Sequence, residues 1–371
     1  MKSLKSLLML CIAAMLCGAC AENGGDEGNG ALTLSANPSS IMANVETAQL
    51  VVKIGNKHLS ADEITLYNEK GVVIEVPNLQ FSSDTPGTYG FQAGYHHPTN
   101  GDMLSNFITV RVTKEVAMPE APVDAEPSNL NFARRILLAQ FTGSECPYCP
   151  YMSKLLRNAL ETYGNEVVLC AIHQHTQNDN AYLDNPILTS AMGVNGFPTI
   201  VADMHKNYKT SNYNSQTAVN NVISGAIKRI EARAAVAATS LYDSENGTIA
   251  VLAKVKANTT GEYRVGMWVL EDGIESPQSN ALSSADNTHN NCVRYVDSKA
   301  GNKDYSGLSV GTINSGEYAN TRFILDIEDH WNMENCHVVV FVSSKESDGK
   351  FYVNNIIDVP LNGSVGFNYA K

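Results

Sequence analysis

Two cysteines separated by two residues, in the motif Cys146-Pro147-Tyr148-Cys149, are the residues of this chain best placed to carry chemistry. A short apolar run, residues 136–141, precedes the motif, and apolar residues at helical spacing follow it. This order predicts that the motif follows a buried strand and opens a helix. Cysteines at this spacing can close a disulfide, so the pattern predicts thiol-disulfide exchange.

The two cysteines are expected to have different roles. If Cys146 occupies the helix start, free N–H groups and the positive end of the helix dipole stabilise its thiolate and lower its pKa. Cys149 would then lie one turn further in and be buried. Cys146 is therefore predicted to be the accessible nucleophile that attacks a substrate disulfide, and Cys149 to resolve the mixed intermediate.

A second motif, Gly196-Phe197-Pro198-Thr199, directly precedes another predicted strand. In thioredoxin-like folds a cis proline occupies this place, so we expect Pro198 to be cis and to pack against the active disulfide. A proline lacks an N–H, and the exposed backbone of Phe197 would let an extended substrate pair with the strand edge. Phe197, together with Tyr148 between the cysteines, is the predicted substrate contact.

One residue departs from this pattern. Thioredoxin places a buried Asp six residues before its first cysteine to move a proton, and here that position is Gln140. Glu145 is a candidate substitute, but an acid beside a thiolate would raise the pKa of Cys146. An inert structural disulfide is therefore an alternative interpretation of the pair.

Two histidines offer a third interpretation, a metal site. His173 and His175 fall at the end of a predicted strand, where alternate residues point to the same face. Their imidazoles could converge near the cysteine pair and hold copper or zinc. Exposed histidines beside a loop are the simpler alternative, because no further ligand is evident. We expect no cofactor.

Three cysteines elsewhere in the chain are interpreted as structural. Cys170 lies in an apolar strand and is expected to be a buried hydrophobic residue. Cys292 and Cys336 fall in the last predicted domain. Because export would place them where disulfides persist, they are predicted to form a structural disulfide.

The first 19 residues have the pattern of a secretory signal peptide. Lys2 and Lys5 precede an apolar run, residues 7–16. This run is too short to cross a bilayer, which takes about 20 apolar residues. Removal of the signal takes away two cations and no acid, so the formal charge falls from −12 to −14. A nucleic-acid partner is not indicated, because no cluster of Lys and Arg is visible.

Gly18-Ala19-Cys20 resembles a lipobox, which predicts that the mature chain begins at a lipidated Cys20. Cys17 departs from the Leu or Val that usually stands three residues before the cut, and ordinary cleavage after Ala19 is the alternative. Residues 20–30 contain no apolar run to bury and are predicted to be a flexible tether.

The remaining length suggests two or three domains. Short β-rich runs without helical periodicity predict a β-sandwich, and a turn at residues 85–87 entering an alternating strand resembles bacterial immunoglobulin-like domains. A proline-rich, acidic linker follows, then alternating strands and helices, and then half-buried strands again. The predicted multidomain α+β order is an immunoglobulin-like β-sandwich over 31–114, a linker over 115–130, a thioredoxin-like α/β domain over 131–234 and a C-terminal β-sandwich over 235–371.

Together with the two motifs, several short stretches of the chain resemble a known protein family. They are residues 138–143, 171–173, 271–273 and 293–294, together with Gln278. From about residue 134 to its end the chain resembles the thioredoxin-like outer-membrane lipoproteins related to outer membrane protein twenty-eight. The resemblance implies a thioredoxin-like fold and an outer-membrane location, and it defines the reaction poorly.

Two functions of different classes fit these patterns. The first is a membrane-anchored thiol-disulfide oxidoreductase that acts on exported cysteine-containing proteins through Cys146 and Cys149. The second is a non-catalytic outer-membrane surface lipoprotein that binds an envelope, glycan or host partner. Two β-sandwich domains are more than catalysis needs, which keeps the second function open.

Overall fold

The structure, a computed structural model, describes residues 30–185, 187–297 and 305–370. The predicted signal peptide, the predicted lipidation site Cys20, the predicted tether up to residue 29 and Pro186 lie outside the described residues. The chain divides into two compact units, Met1–Val116 and Ala117–Lys371. No helix in the described part of the chain is both long and apolar enough to span a membrane.

The described residues of the first unit form strands and no α-helix. The strands are β1 Leu32–Asn37, β2 Ser40–Met42, β3 Ala48–Ile54, β4 Lys57–Leu59, β5 Ile64–Asn68, β6 Val73–Ile74, β7 Gln80–Phe81, β8 Gly87–His97, β9 Gly101–Leu104 and β10 Ile108–Thr113. One sheet has the order β1-β3-β4 with β7 beside β3, and the other has the order β2-β10-β8-β5-β6 with β9 beside β8. The two sheets share one apolar core, which β3 enters through Leu50, Val52 and Ile54.

The second unit begins with alternating strands and helices. They are β11 Ile136–Thr142, α1 Cys149–Tyr163, β12 Val167–His173, α2 Ile187–Ala191, β13 Thr199–Ala202, β14 Lys209–Thr210 and α3 Gln216–Arg229. Strands follow: β15 Ala234–Asp243, β16 Thr248–Ala257, β17 Gly261–Glu271, β18 Ile274–Glu275, β19 Thr288–His289, β20 Cys292–Val296, β21 Leu308–Ile313, β22 Tyr318–Asp326, β23 Cys336–Lys345, β24 Phe351–Pro360 and β25 Ser364–Val365. The protein is therefore mostly β, with several sheets and few helices.

Local sequence explains where the two longer helices begin and end. Pro150 stands in the first turn of α1, where its missing N–H costs no hydrogen bond. Gly164 ends α1 at a φ of 48°, a left-handed backbone that favours glycine. Ser215 precedes α3, and its side chain accepts a hydrogen bond from the Ala218 N–H, which satisfies a donor of the first turn.

A single large sheet runs through most of the second unit. Its strand order is β14-β13-β11-β12-β20-β17-β23-β24, with β21 beside β17. β11 and β12 are parallel, and β20 joins β12 where Ala171 faces Cys292. The Ala171 N–H donates to the Asn291 carbonyl at 2.8 Å. One sheet and one compact unit therefore include both regions that the sequence predicts as the last two domains.

The central strands of this sheet are covered differently on their two faces. Residues of α1 and α3, such as Leu156 and Ile223, pack on one face of β11 and β13. The opposite face, through Phe141, shares a core with Trp268 of β17 and Phe341 of β23. A second sheet, of order β22-β16-β15-β25, packs against β17 and β23 through a further apolar core.

A buried lysine fixes part of the predicted linker against the second unit. Lys256 of β16 is 0% exposed, and its Nζ lies 2.8 Å from Asp124 Oδ2. The same ammonium donates to the carbonyls of Glu126 at 3.1 Å and Asn129 at 2.9 Å and contacts the Tyr369 hydroxyl at 3.0 Å. Burial raises the pKa of Asp124, but the hydrogen bond from Lys256 and those from tyrosines outweigh burial and hold it well below its usual range. Residues 124–129 are thus held in place by charge-assisted hydrogen bonds.

Replacing Lys256 with Met should destabilise the second unit by about 3 to 5 kcal/mol, because Asp124 would be left buried without its cation. Lys254→Met is the matched control on the same strand. The Lys254 ammonium lies 4.6 Å from the Tyr318 ring and is only partly buried. Its loss should cost about 1 kcal/mol or less. Denaturant unfolding followed by fluorescence of Trp268 and Trp331, which both lie in the second unit, measures the difference, and equal losses would contradict the role assigned to Lys256.

Candidate functional site

Cys146 and Cys149 form a disulfide directly after β11, with their Cα atoms 5.4 Å apart. The motif turns twice: the Cys146 N–H donates to the Gly143 carbonyl at 3.1 Å, and the Cys149 N–H donates to the Cys146 carbonyl at 3.3 Å. α1 begins at Cys149. The prediction that Cys146 occupies the helix start is therefore wrong, because the chain needs these two turns to leave β11 before the helix can begin.

Both sulfur-bearing residues are buried in this disulfide form. Cys146 and Cys149 are each 1% exposed, whereas Tyr148 between them is 50% exposed. The prediction that Cys146 is the accessible member of the pair does not hold for the closed disulfide. The motif presents its tyrosine to solvent and turns its cysteines inward.

A segment from the C-terminal part of the unit lies against the motif. The Gln278 side-chain amide donates to the carbonyls of Ser144 at 2.8 Å and Cys146 at 3.0 Å. Next to it, the Ser279 N–H donates to the same Ser144 carbonyl at 2.7 Å. Gln278 is one of the residues that carry the family resemblance, but no local sequence pattern indicates its contact with Cys146, more than 130 residues away.

His173, a candidate metal ligand, belongs to a buried polar group beside the motif. Its Nδ1 lies 2.7 Å from Asp179 Oδ2, and its Nε2 lies 3.7 Å from the Cys292 sulfur. The same Asp179 oxygen accepts a 2.7 Å hydrogen bond from the Ser144 N–H, two residues before Cys146. Asp179 therefore links the imidazole to the turn that carries the disulfide, a role that no local sequence pattern indicates.

His175, the second candidate metal ligand, lies apart from this group. It is exposed, and its ring meets that of Phe197 edge to face, with centroids 5.5 Å apart. β12 ends at His173, so the strict alternation that would align the two imidazoles does not extend to residue 175. Across residues 30–185, 187–297 and 305–370 no three His, Cys, Asp or Glu side chains are arranged to hold a metal ion.

Asp179 is held in its charged form. Burial raises the pKa of its carboxyl, but hydrogen bonds from His173 and from the N–H groups of Ser144 and Ala181 outweigh burial and lower the pKa well below its usual range. Since the carboxylate is ionised, Nδ1 of His173 must carry the proton that joins them. The turn before the disulfide is thus anchored to a buried anion.

Asp179→Asn should lower the free energy of unfolding at pH 7 by about 1 to 3 kcal/mol, because the charge-assisted bonds to the imidazole and to Ser144 weaken. An unfolded Asp has a pKa of about 3.9. Folding lowers that pKa, so the stabilisation is present above about pH 4 and is lost as the pH falls further. The variant should therefore lose less stability than the wild type between about pH 5 and pH 2. Asp184→Asn, an exposed residue of the same loop, is the control, and matching acid profiles for Asp179→Asn and wild type would contradict this account.

The second motif lies at the start of β13. The Phe197–Pro198 peptide bond is cis, as expected at this place. Pro198 and Thr199 are buried and Phe197 is half-buried. The Thr199 hydroxyl donates to the Gly196 carbonyl at 2.7 Å, which closes the turn that leads into the strand.

Three tyrosines form an aromatic cluster next to the disulfide. Tyr148 stacks on Tyr213 with ring centroids 5.0 Å apart, and Tyr151 lies 6.3 Å from the same ring. Tyr148 and Tyr151 are exposed, so part of this aromatic cluster faces solvent. Tyr213 comes from the segment before α3, and nothing in the sequence pattern indicates that it reaches the motif.

Gln140 and Glu145 occupy different environments. The Gln140 side chain is buried in β11, and its amide donates to the Ser153 hydroxyl of α1 at 2.9 Å. Glu145 is exposed, beside the motif. A side-chain amide does not ionise near neutral pH, so Gln140 cannot replace the acid of thioredoxin; its hydrogen bond to Ser153 holds α1 to the sheet.

The predicted disulfide between Cys292 and Cys336 is not formed. Both are free, buried thiols, as is Cys170, and burial raises the pKa of all three, that of Cys336 to about 12. Cys292 and Cys336 pair with Glu271 from opposite sides, since β17 lies between their strands. Strands two places apart are separated by about 9 to 10 Å. A disulfide needs Cα atoms less than about 7 Å apart, so these residues cannot be bridged.

A polar cleft of about 470 Å³ lies elsewhere in the second unit. The residues that line it include Arg294 and Glu271, a buried ion pair in which Arg294 Nε and Glu271 Oε2 are 2.7 Å apart. Asn180, His330 and Asn332 are among the residues that line it. A cleft with these amides and charged groups suits a ligand rich in hydrogen-bonding groups.

Together the fold and the site define a mostly β, multi-sheet protein with a buried Cys-x-x-Cys disulfide between a central strand and a helix. Residues 185–363 match the family model described as Outer membrane protein Omp28. The resemblance predicted from the sequence is thus confirmed over that range, which begins after Cys146 and Cys149. No curated protein matches the chain.

Two solved structures are similar to parts of this chain. HBP35 of Porphyromonas gingivalis matches with a TM-score of 0.52 and 16% identity, over 66% of this chain and 79% of that one. A structural-genomics protein from Agrobacterium tumefaciens matches with a TM-score of 0.41 and 12% identity, over 64% of this chain and 99% of that one. The first match indicates an HBP35-like fold.

Proposed function

We propose that the protein is a lipid-anchored outer-membrane lipoprotein that carries out thiol-disulfide exchange on exported proteins through Cys146 and Cys149. The closed disulfide between these residues, at the end of a buried strand and the start of α1, is the observation that carries the proposal. The cis peptide bond before Pro198 adds the second motif of a thioredoxin-like site. On this proposal residues 131–234 are a thioredoxin-like region, residues 31–114 an immunoglobulin-like sandwich and residues 235–371 a C-terminal sandwich.

The exchange proceeds in two displacements. The Cys146 thiolate of the reduced pair attacks a substrate disulfide, forms a mixed disulfide and releases one substrate sulfur as a thiolate. The Cys149 thiolate then attacks Cys146 Sγ, closes the Cys146–Cys149 disulfide and releases the second substrate thiolate. Two electrons pass from the dithiol to the substrate, and the reverse sequence oxidises a substrate dithiol. The direction is set by the reduction potential of the partner.

The side chains around the disulfide suit an extended polypeptide. Tyr148 and Tyr213 offer a flat aromatic surface on one side of the motif. Phe197 precedes the cis proline, where the backbone of an extended chain can pair with a strand edge. We assign Tyr148 and Phe197 as contacts to the residues that flank the substrate cysteine.

Refolding of a scrambled disulfide protein in a glutathione buffer tests the exchange reaction. The wild type should accelerate native disulfide formation, and Cys146→Ser should abolish the acceleration because the nucleophile is gone. Cys149→Ser should still attack but not resolve, so a mixed disulfide with the substrate should accumulate. Cys170→Ala, which removes a buried free thiol, is the control. A wild type without activity would reject the proposal.

The lipid anchor at Cys20 has its own test. The description of the matching family as an outer membrane protein supports the location, and Gly18-Ala19-Cys20 supports the anchor. In cells that express the full chain, Cys20→Ser should move the protein from the membrane fraction to the soluble one. Cys17→Ser, which leaves the modified residue intact, should stay with the membrane. Retention of Cys20→Ser after a high-salt wash would show that a lipid on Cys20 is not what holds the protein.

A non-catalytic binding function is the second candidate, and the polar cleft favours it. The cleft includes Glu271, Gly273 and Arg294, and all three lie within the range that matches the family model. In this case the protein binds a hydroxyl-rich envelope or host glycan there, and Cys146–Cys149 is a structural disulfide. The inactive wild type described above, with retained glycan binding that Arg294→Ala removes, would favour this function.

A further inference from the structure

The loop between β18 and β19 crosses the backbone of the disulfide motif. In addition to the bonds from Gln278 and Ser279 to the turn before Cys146, the Asn280 side-chain amide lies 3.4 Å from the Pro147 carbonyl. The Gln278 amide also reaches the Gly143 carbonyl at 3.5 Å. Residues 278–280, which we call the clamp, therefore hold the carbonyl groups on both sides of Cys146.

A buried carboxylate, that of Asp286, holds the part of the loop that follows the clamp. Asp286 Oδ2 accepts hydrogen bonds from the N–H groups of Leu282 at 2.8 Å and Ser283 at 3.1 Å. Its other oxygen lies 3.2 Å from Arg157, an α1 residue. The loop is thus tied to the helix that begins at Cys149 as well as to the turn before it.

Access decides whether a disulfide can exchange, because the attacking sulfur must approach in line with the S–S bond. With the clamp in place, Cys146 and Cys149 are each 1% exposed. Among the clamp residues, Gln278 makes the most hydrogen bonds to the motif and the turn before it. Its side-chain amide donates to the carbonyls of Gly143, Ser144 and Cys146. Without this donor, the bonds that remain between these residues and the motif are the Ser279 N–H to the Ser144 carbonyl at 2.7 Å and the Asn280 amide to the Pro147 carbonyl at 3.4 Å.

We propose that Gln278 is the positioning residue of the exchange site: its amide fastens the loop over the 143–146 turn, and exchange at Cys146 requires the release of this clamp. This inference rests on the proposed thiol-disulfide exchange and adds a mechanism that regulates access to Cys146. Gln278 acts through the main chain of Ser144 and Cys146 and takes no part in the two sulfur displacements. A polypeptide that pulls residues 278–280 away from the motif would open the site for its own disulfide or thiols.

Gln278→Glu tests the clamp with the smallest change of shape. A carboxylate replaces the amide donor and turns an oxygen toward three carbonyl oxygens, so attraction becomes repulsion. The second-order rate constant for reduction of the Cys146–Cys149 disulfide by dithiothreitol should rise about tenfold or more, because the hydrogen bonds to the Ser144 and Cys146 carbonyls no longer oppose opening. Gln278→Ala, which removes the donor without repulsion, should give a smaller increase in the same direction.

Asn258→Asp is the matched control. The Asn258 side-chain amide also donates to two main-chain carbonyls, those of Leu130 and Ala232, and it has no bond to the motif. The same amide-to-carboxylate change there should leave the reduction rate within about twofold of the wild type. Tryptophan fluorescence during denaturant unfolding shows that each variant is folded before its rate is compared.

The equilibrium between the disulfide and the dithiol separates a clamp from a general loss of structure. A clamp that gates both directions changes forward and reverse rates together, so the equilibrium constant with dithiothreitol should stay within about threefold. Equal reduction rates in the wild type and both Gln278 variants would overturn the clamp while leaving the exchange reaction intact. Faster reduction of Gln278→Glu by dithiothreitol, with no refolding activity in any form, would keep the clamp and reject the proposed function.

Discussion

Burial of both faces of the β11–β12 layer is the constraint on which the second unit depends. β11 is buried along its whole length, so each face needs an apolar cover. α1 and α3 cover one face, and α2, a helix of five residues, is too short to cover the other. β17 and the strands beside it cover that face instead, with Trp268 and Phe341 in the shared core. The α/β region is therefore complete only when the C-terminal strands pack against it.

Buried charged side chains also connect the α/β region to the C-terminal strands. Asp203, directly after β13, lies 2.5 Å from Arg134 and 3.1 Å from Arg229 of α3. Both guanidinium groups also donate to main-chain carbonyls of β24. A buried carboxylate shared by two arginines satisfies charges that would otherwise be costly to desolvate. The same strands that cover the core thus provide the polar partners of the α/β region. The loop that bonds the main chain of the disulfide motif belongs to the same unit.

Short-range patterns in the sequence predict the helices, the strands and the Cys-x-x-Cys pair. They do not predict contacts between residues that are far apart in the chain. The apolar spacing after the cysteine motif predicts α1, and the strand expected directly after the second motif is β13. The Cys146–Cys149 disulfide follows from spacing alone. The free state of Cys292 and Cys336 depends on β17 lying between their strands, which no local pattern encodes. The contacts that Asp179 and Gln278 make with the disulfide turn are not predicted for the same reason, because their partners are brought close only by the tertiary fold.

The range of the family match bears on how the two parts of the site relate. It runs from residue 185 to residue 363 and therefore includes β13 to β24 and Gln278, but it excludes Cys146 and Cys149. The loop that bonds the main chain of the motif thus lies inside the matched range, and the disulfide lies outside it. The hydrogen bonds from Gln278 to the carbonyls of Ser144 and Cys146 therefore join a residue inside the matched range to the motif outside it. A change on either side of that boundary alters the same contact.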